Sequence, residues 1–168
     1  MNILIKAAIV VGLSILTGCG KEEAAVVPPP VATAPDATGR YCGMLLAEHA
    51  GPKGQILLKS GGDPVWFTSV RDTFTFLALP EEPKDVSAIY VSDMGKAPSW
   101  EEPGDQNWIL ADTAVYVVES DQAGGMGGSE AVPFGDEAEA KVFAGQHGGR
   151  IVPFKDAKEA MAKEGSQQ

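Results

Sequence analysis

The spacing of apolar positions changes several times along the chain, and each change marks an expected element. Residues 7–17 form a short apolar run behind Lys6. Residues 21–38 follow with Pro28, Pro29, Pro30 and Pro35 among Ala and Val, and show neither a helical nor a strand period. Runs at 55–59 and 64–68 are β-rich and flank Ser60-Gly61-Gly62-Asp63, a hairpin signal. Ser69 stands three before Asp72, a capping pair that predicts a helix through Leu79. Val70, Phe74 and Leu77 give that helix a core face, and Pro80 and Pro83 stop it. Strands are expected at 86–92, 107–110 and 115–119, with Asp112 in the turn between the last two.

The last third opens on Gly124-Gly125-Met126-Gly127-Gly128, a loop with no stripe of packing side chains. A helix is predicted over 136–146, with Ala138, Val142 and Phe143 as its apolar stripe, ended by Gly148-Gly149. A short strand at 150–154 and a terminal helix at 155–163 complete the order. Strand, Phe67, helix and strand are echoed by strand, Phe134, helix and strand. The fold class is therefore α+β, as two small related units of antiparallel strands with a helix each, over 39–95 and 106–164. Trp66, Trp100 and Trp108 are expected in the core.

Composition narrows the function. The chain has 168 residues and a formal net charge of -10, so nothing in it would neutralise a nucleic-acid backbone. Two cysteines allow at most one bridge, which excludes a disulfide-dense scaffold. The front of the chain then reassigns one of them. Lys6, the apolar run and small residues before a cut site describe a secretory signal, too short to span a bilayer. Leu16-Thr17-Gly18-Cys19 resembles the lipobox of bacterial lipoproteins, which implies cleavage after residue 18 and lipidation of Cys19. Gly20 is not Asp, so outer-membrane sorting is expected rather than inner-membrane retention. The expected organisation is a signal at 1–18, an anchor and Pro/Ala-rich tether at 19–38, and a periplasm-facing body at 39–168. A polyproline tether over 21–38 would reach roughly 55 Å.

With Cys19 lipidated, Cys42 is the one thiol left in the mature chain, and it has no cysteine to pair with. Burial, an intermolecular bridge, reactivity or a metal would each account for it. Met44 stands two residues on, so the thiol and thioether share a face if the segment is extended, and Gly43 lets it curl instead. Thiolate plus thioether is a soft donor set, which selects Cu(I). Zinc fits less well: a closed site wants four ligands, and Cys42, His49 and His147 are all that Cys and His supply. Met126 among its glycines, Met94 in a loop and His49 nearby are further candidate ligands, each set against an incidental surface role. Met161 reads as helix packing and His147 as a helix-end residue. No nucleophile elbow, phosphate loop or His-Glu-x-x-His motif is present. Two rivals remain, a thiol-dependent enzyme using Cys42 without an obvious base, and a metal-free adaptor lipoprotein with an acidic docking surface.

Several segments in order resemble the NosL family, lipoprotein accessory factors of nitrous oxide reductase. They are Tyr41-Cys42-Gly43-Met44, Val65-Trp66-Phe67 with Arg71-Asp72, Ala88 to Gly95, and Asn107-Trp108-Ile109 with Val115 to Val118. Gly125-Met126-Gly127, Val132-Pro133-Phe134 and His147-Gly148-Gly149-Arg150 complete the set. The resemblance implies two related α+β units and a Cu(I) carrier, not an enzyme, that serves assembly of the reductase's copper–sulfide centre. It implies the Nos maturation machinery as partner, through a NosD-type periplasmic protein of an ABC transporter complex, with nitrous oxide reductase served indirectly. Its Cys-x-Met motif falls on Cys42 and Met44. Where some members carry a second cysteine just upstream, this chain has Gly39-Arg40-Tyr41.

Overall fold

A computed structural model describes residues 26–165. The signal, Cys19 and the first part of the tether lie outside the described residues. Among the described residues, two antiparallel sheets and three α-helices make up an α+β architecture. Among the described residues no helix is long and apolar enough to cross a membrane.

The first unit is β1 (Gly54–Leu58), β2 (Val65–Phe67), α1 (Val70–Ala78) and β3 (Val86–Ser92). Strand β1 lies centrally, with Gln55 opposite Trp66 on one side and Tyr90 on the other. Ser69 caps α1 as expected, its Oγ accepting from Asp72 N at 3.0 Å. The second unit repeats the plan: β5 (Val115–Val118) is flanked by β6 (Val132–Phe134) and β7 (Arg150–Pro153), with α2 (Glu137–His147) between the latter two in sequence. Both units thus run ββαβ, in the orders β2-β1-β3 and β6-β5-β7. The faint sequence echo is a shared topology.

One boundary differs. The strand at β4 (Trp108–Leu110), expected to open the second unit, pairs instead with β3 through Tyr90–Leu110 and Ser92–Trp108. It is the fourth strand of the first sheet, so the second unit starts at β5. A three-residue strand cannot choose its sheet from its own pattern; the available edge of β3 decides.

Helix α1 covers the inner face of the first sheet through Ile56, Phe67 and Phe76. Its other side joins Tyr116, Val118 and Val152 of the second sheet and α3 (Phe154–Gly165), so the two units share one core. Met161 is buried there, in its expected packing role. Helix α2 covers the opposite face of the second sheet with Ala140, Phe143 and Ala144, against Val117, Val132 and Phe134. The stripe expected at Ala138 and Val142 faces solvent, with Val142 58% exposed. The helix is amphipathic only weakly, and the small Ala140 fits closest to the sheet. None of the three tryptophans is fully buried.

Residues 28–37 do not hang free of the body. Gln55, fully buried, accepts from Val31 N at 2.9 Å and donates to Val31 O at 2.8 Å. Tyr90 OH donates to Pro28 O at 2.7 Å, and Thr33 N to Asp105 O at 2.8 Å. Gln55 and Tyr90 sit on the outer face of the first sheet, so the Pro-rich segment covers that face as a strap. The tether expected over 21–38 is therefore bound from residue 28 onward.

Candidate metal centre

The loop that carries Cys42 is a small hairpin leaving the strap. Thr38 and Leu45 form an isolated antiparallel bridge, Gly39 N donates to Met44 O at 2.9 Å, and Gly43 N donates to Gly39 O at 2.9 Å. Gly43 has φ +66°, a conformation that favours glycine, so the segment curls rather than extends. Arg40 N donates to Trp66 O at 2.8 Å, which docks the loop on the free edge of β2. Glu82 clamps it from the other side: Arg40 Nη2 lies 3.0 Å from one carboxylate oxygen and Tyr41 OH donates to the other at 3.2 Å. Burial, and then the Glu82 carboxylate, push the Tyr41 hydroxyl up to about 12, so it stays a donor.

Within this frame Cys42 is partly exposed, with Sγ 3.6 Å from Thr68 Oγ1. Met44 is 39% exposed on the same loop. Thr68 immediately precedes Ser69, the cap of α1, so the thiol stands just ahead of that helix.

Met126 approaches α1 from the second unit. Its loop is closed by Gly124 N to Gly128 O at 3.0 Å and Gly127 N to Gly124 O at 2.8 Å. At Gly125 a Cβ would fall 2.2 Å from Ala50 O, so only glycine fits against that turn. Lys53 shapes the turn, its Nζ donating to the carbonyls of His49, Ala50 and Gly51 at 2.6, 3.0 and 2.8 Å. Met126 itself is 49% exposed and lines an open hollow of about 380 Å³ with Ser69, Arg71, Asp72 and Thr75. Two neighbouring residues thus connect the sulfurs: Thr68 touches Cys42, and Ser69 shares the hollow of Met126.

The other candidates fall elsewhere. His49 lines a separate cavity with Thr33, Lys53, Glu101 and Asp105, and its buried Nε2 has no hydrogen-bond partner among the described residues. Met94 packs in the second unit beside Trp100 and Phe143. Among the described residues no three His, Cys, Asp or Glu side chains converge as a metal site. What the first unit offers a metal is sulfur. A thiol and an exposed thioether on one open loop suit a soft ion at low coordination number. Glu82 and Thr68 give no signal in the sequence, because they meet the loop from 42 and 26 residues away and carry no motif.

The fold and this loop define a class: a two-unit α+β protein that carries a thiol and an exposed thioether on one loop of its first unit. Residues 30–162 match the family model described as NosL. The chain is 46% identical over 132 residues to "Copper-binding lipoprotein NosL" of Achromobacter cycloclastes, covering 78% of this chain and 68% of that one. It is 38% identical over 150 residues to the protein of the same name from Stutzerimonas stutzeri, covering 89% and 77%. The crystal structure of the copper chaperone NosL from Shewanella denitrificans superposes with a TM-score of 0.70 at 37% identity, covering 76% of this chain and 96% of that one. The chain belongs to the NosL family.

Proposed function

We propose that this chain is a periplasm-facing lipoprotein, anchored through Cys19 and sorted to the outer membrane, that binds Cu(I) and passes it on without chemistry of its own. The observation that carries this reading is the presentation of Cys42 and Met44 on one solvent-open loop, in a chain whose relatives are named copper-binding lipoproteins. Cys42 supplies the thiolate, losing its proton as the metal binds. Met44 supplies a thioether, and Met126 is the proposed third donor, because Thr68 touches Cys42 and the adjacent Ser69 shares the hollow of Met126.

Such a site exchanges metal by sharing it. A two- or three-coordinate Cu(I) keeps an open side, on which an incoming sulfur or imidazole binds before Cys42 lets go. The ion then passes between ligand sets without entering solution. The proposed receiver is a NosD-type periplasmic protein of the Nos ABC transporter complex, and the proposed destination is the copper–sulfide centre of nitrous oxide reductase. A shared membrane surface would raise the local concentration of carrier and receiver.

The test is anaerobic competition for Cu(I) against a chromogenic chelator. The parent should take one equivalent tightly, and Cys42→Ala should lose at least a hundredfold in affinity, about 2.7 kcal/mol. Retention of parental affinity in that variant would show the site to be misplaced.

A further inference from the structure

The second unit receives a loop on the same edge as the first. Trp66 in β2 and Pro133 in β6 each stand one residue before the phenylalanine that ends the strand, Phe67 or Phe134, and three before the helix cap, Ser69 or Asp136. They are equivalent positions of the repeat. Arg40 N donates to Trp66 O at 2.8 Å, and Met94 N donates to Pro133 O at 2.9 Å. The loop after β3 therefore sits on the second unit where the Cys42 loop sits on the first. Asp93 holds it in place, its Oδ1 accepting from Gly135 N at 2.9 Å and Gly95 N at 3.2 Å, and its Oδ2 lying 3.0 Å from Lys96 Nζ.

That loop also presents sulfur. Met94 is half-buried and lines a cavity of about 200 Å³ with Trp100, Phe143 and His147. His147, the last residue of α2, is fixed from two directions. Its ring stacks on Phe143 with centroids 4.5 Å apart, and its Nδ1 is 3.0 Å from Asp121 Oδ1. Asp121 N in turn donates to His147 O at 2.9 Å, which locks the carboxylate beside the ring. A carboxylate on Nδ1 selects the tautomer that leaves the lone pair on Nε2, the arrangement that orients histidine ligands toward metals.

We infer that the Met94 thioether and His147 Nε2 form a second site, on the second unit, for a soft monovalent d10 cation. That the ion is Cu(I) rests on the copper-carrier reading above; the site itself rests on the repeat, the shared cavity and the Asp121–His147 pair. Thioether and imidazole are both neutral, so the site lacks the thiolate of Cys42 and binds more weakly. Trp100 and Phe143 line the same cavity and offer aromatic faces to a bound cation. The protein would then carry a tight ion on its first unit and an exchangeable one on its second.

The experiment uses the mature full-length chain with 13C-labelled methionine methyls, titrated anaerobically with Ag(I) as a redox-silent d10 probe in thiol-free buffer. The first equivalent should move the Met44 methyl. The second should move the Met94 methyl together with the ring protons of His147. Met161, buried in the shared core, should stay still and report an intact fold. His147→Ala should remove the second step and leave the first, and Asp121→Asn should weaken the second about tenfold or more. In Cys42→Ala the Met94 step should survive. A Met94 methyl that stays still beyond two equivalents, or moves equally in His147→Ala, overturns the inference. A Met44 methyl that fails to respond overturns the Cys42 reading instead.

Discussion

Gly39 is held small by what lies against it. An added Cβ there would sit 2.8 Å from Cys42 Sγ and 2.9 Å from Thr68 Cγ2, closer than side chains tolerate. Thr68 is buried at the end of β2, so the thiol is the part that must move. A single methyl at 39 therefore tests whether the resting position of the sulfur matters to metal binding. Gly39→Ala should lower Cu(I) affinity about tenfold, or ~1.4 kcal/mol, while the thermal midpoint falls by only a few degrees. Chelator competition and thermal melts measured side by side check this, and an unchanged affinity would mean that the thiol is free to reorient. At this scale the candidate donors are legible. Softness belongs to the residue, so Cys42, Met44 and Met126 stand out from sequence. Glu82 and Thr68 do not, since a carboxylate and a hydroxyl acquire their roles only through contacts made across tens of residues.

Helix α1 is the element beside which the candidate donors lie, and Glu130 ties it to the second unit. The Glu130 side chain is buried, and its Oε1 accepts from Arg71 N at 2.9 Å in the first turn of α1 and from Ala131 N at 2.9 Å. Burial pushes this carboxyl up to about 8, against the pull of those two donors. The folded chain thus holds the proton more firmly than the unfolded chain. Stability from this group is whole below the ordinary carboxyl range and is lost as pH rises through that range toward 8. Glu130→Gln keeps the acceptor and removes the ionisation. The parent's thermal midpoint should fall between pH 5 and pH 8 and the variant's should fall less; parallel profiles would remove Glu130 as the source. Element by element, long periodic runs were readable: β3 and the capped α1 lie where expected. The 3₁₀ turn at Leu46–Glu48 and β6, three residues with Pro133 at its centre, were not, because neither is long enough to show a period. In the stripe expected for α2, Phe143 packs on the second sheet, but Ala138 and Val142 face solvent and the small Ala140 takes the closest place.

For the whole molecule, the strap would set how far the candidate site stands from the anchor proposed at Cys19. In the second sheet α3 covers the face opposite α2, whereas in the first sheet the corresponding face is covered by residues 28–35. A proline-rich segment suits this duty: its fixed φ lowers the entropy cost of docking, and its carbonyls accept from a buried tyrosine and glutamine. Composition alone read this stretch as spacer, because prolines mark both free and docked polyproline, and Gln55 lies 24 residues away. For the proposed anchor this would mean a shorter leash. With Cys19 as the anchor, the chain up to Pro28 spans at most about 30 Å, against roughly 55 Å for a tether free through residue 38. The Cys42 loop begins directly after the strap, so docking also steadies the hairpin closed by Thr38 and Leu45. Gln55→Leu keeps the buried volume and removes both bonds to Val31. Hydrogen exchange should then show Val31 N–H losing protection, and Thr33 N–H with it, while amides pairing β1 with β3 remain protected. Cu(I) affinity should fall less than threefold, because the sulfur ligands are untouched, and receiver docking on a membrane should change more than metal binding. Unaltered protection at Val31 would mean that the strap is held by packing alone, and the reach of the site would then be set by the apolar face rather than by Gln55.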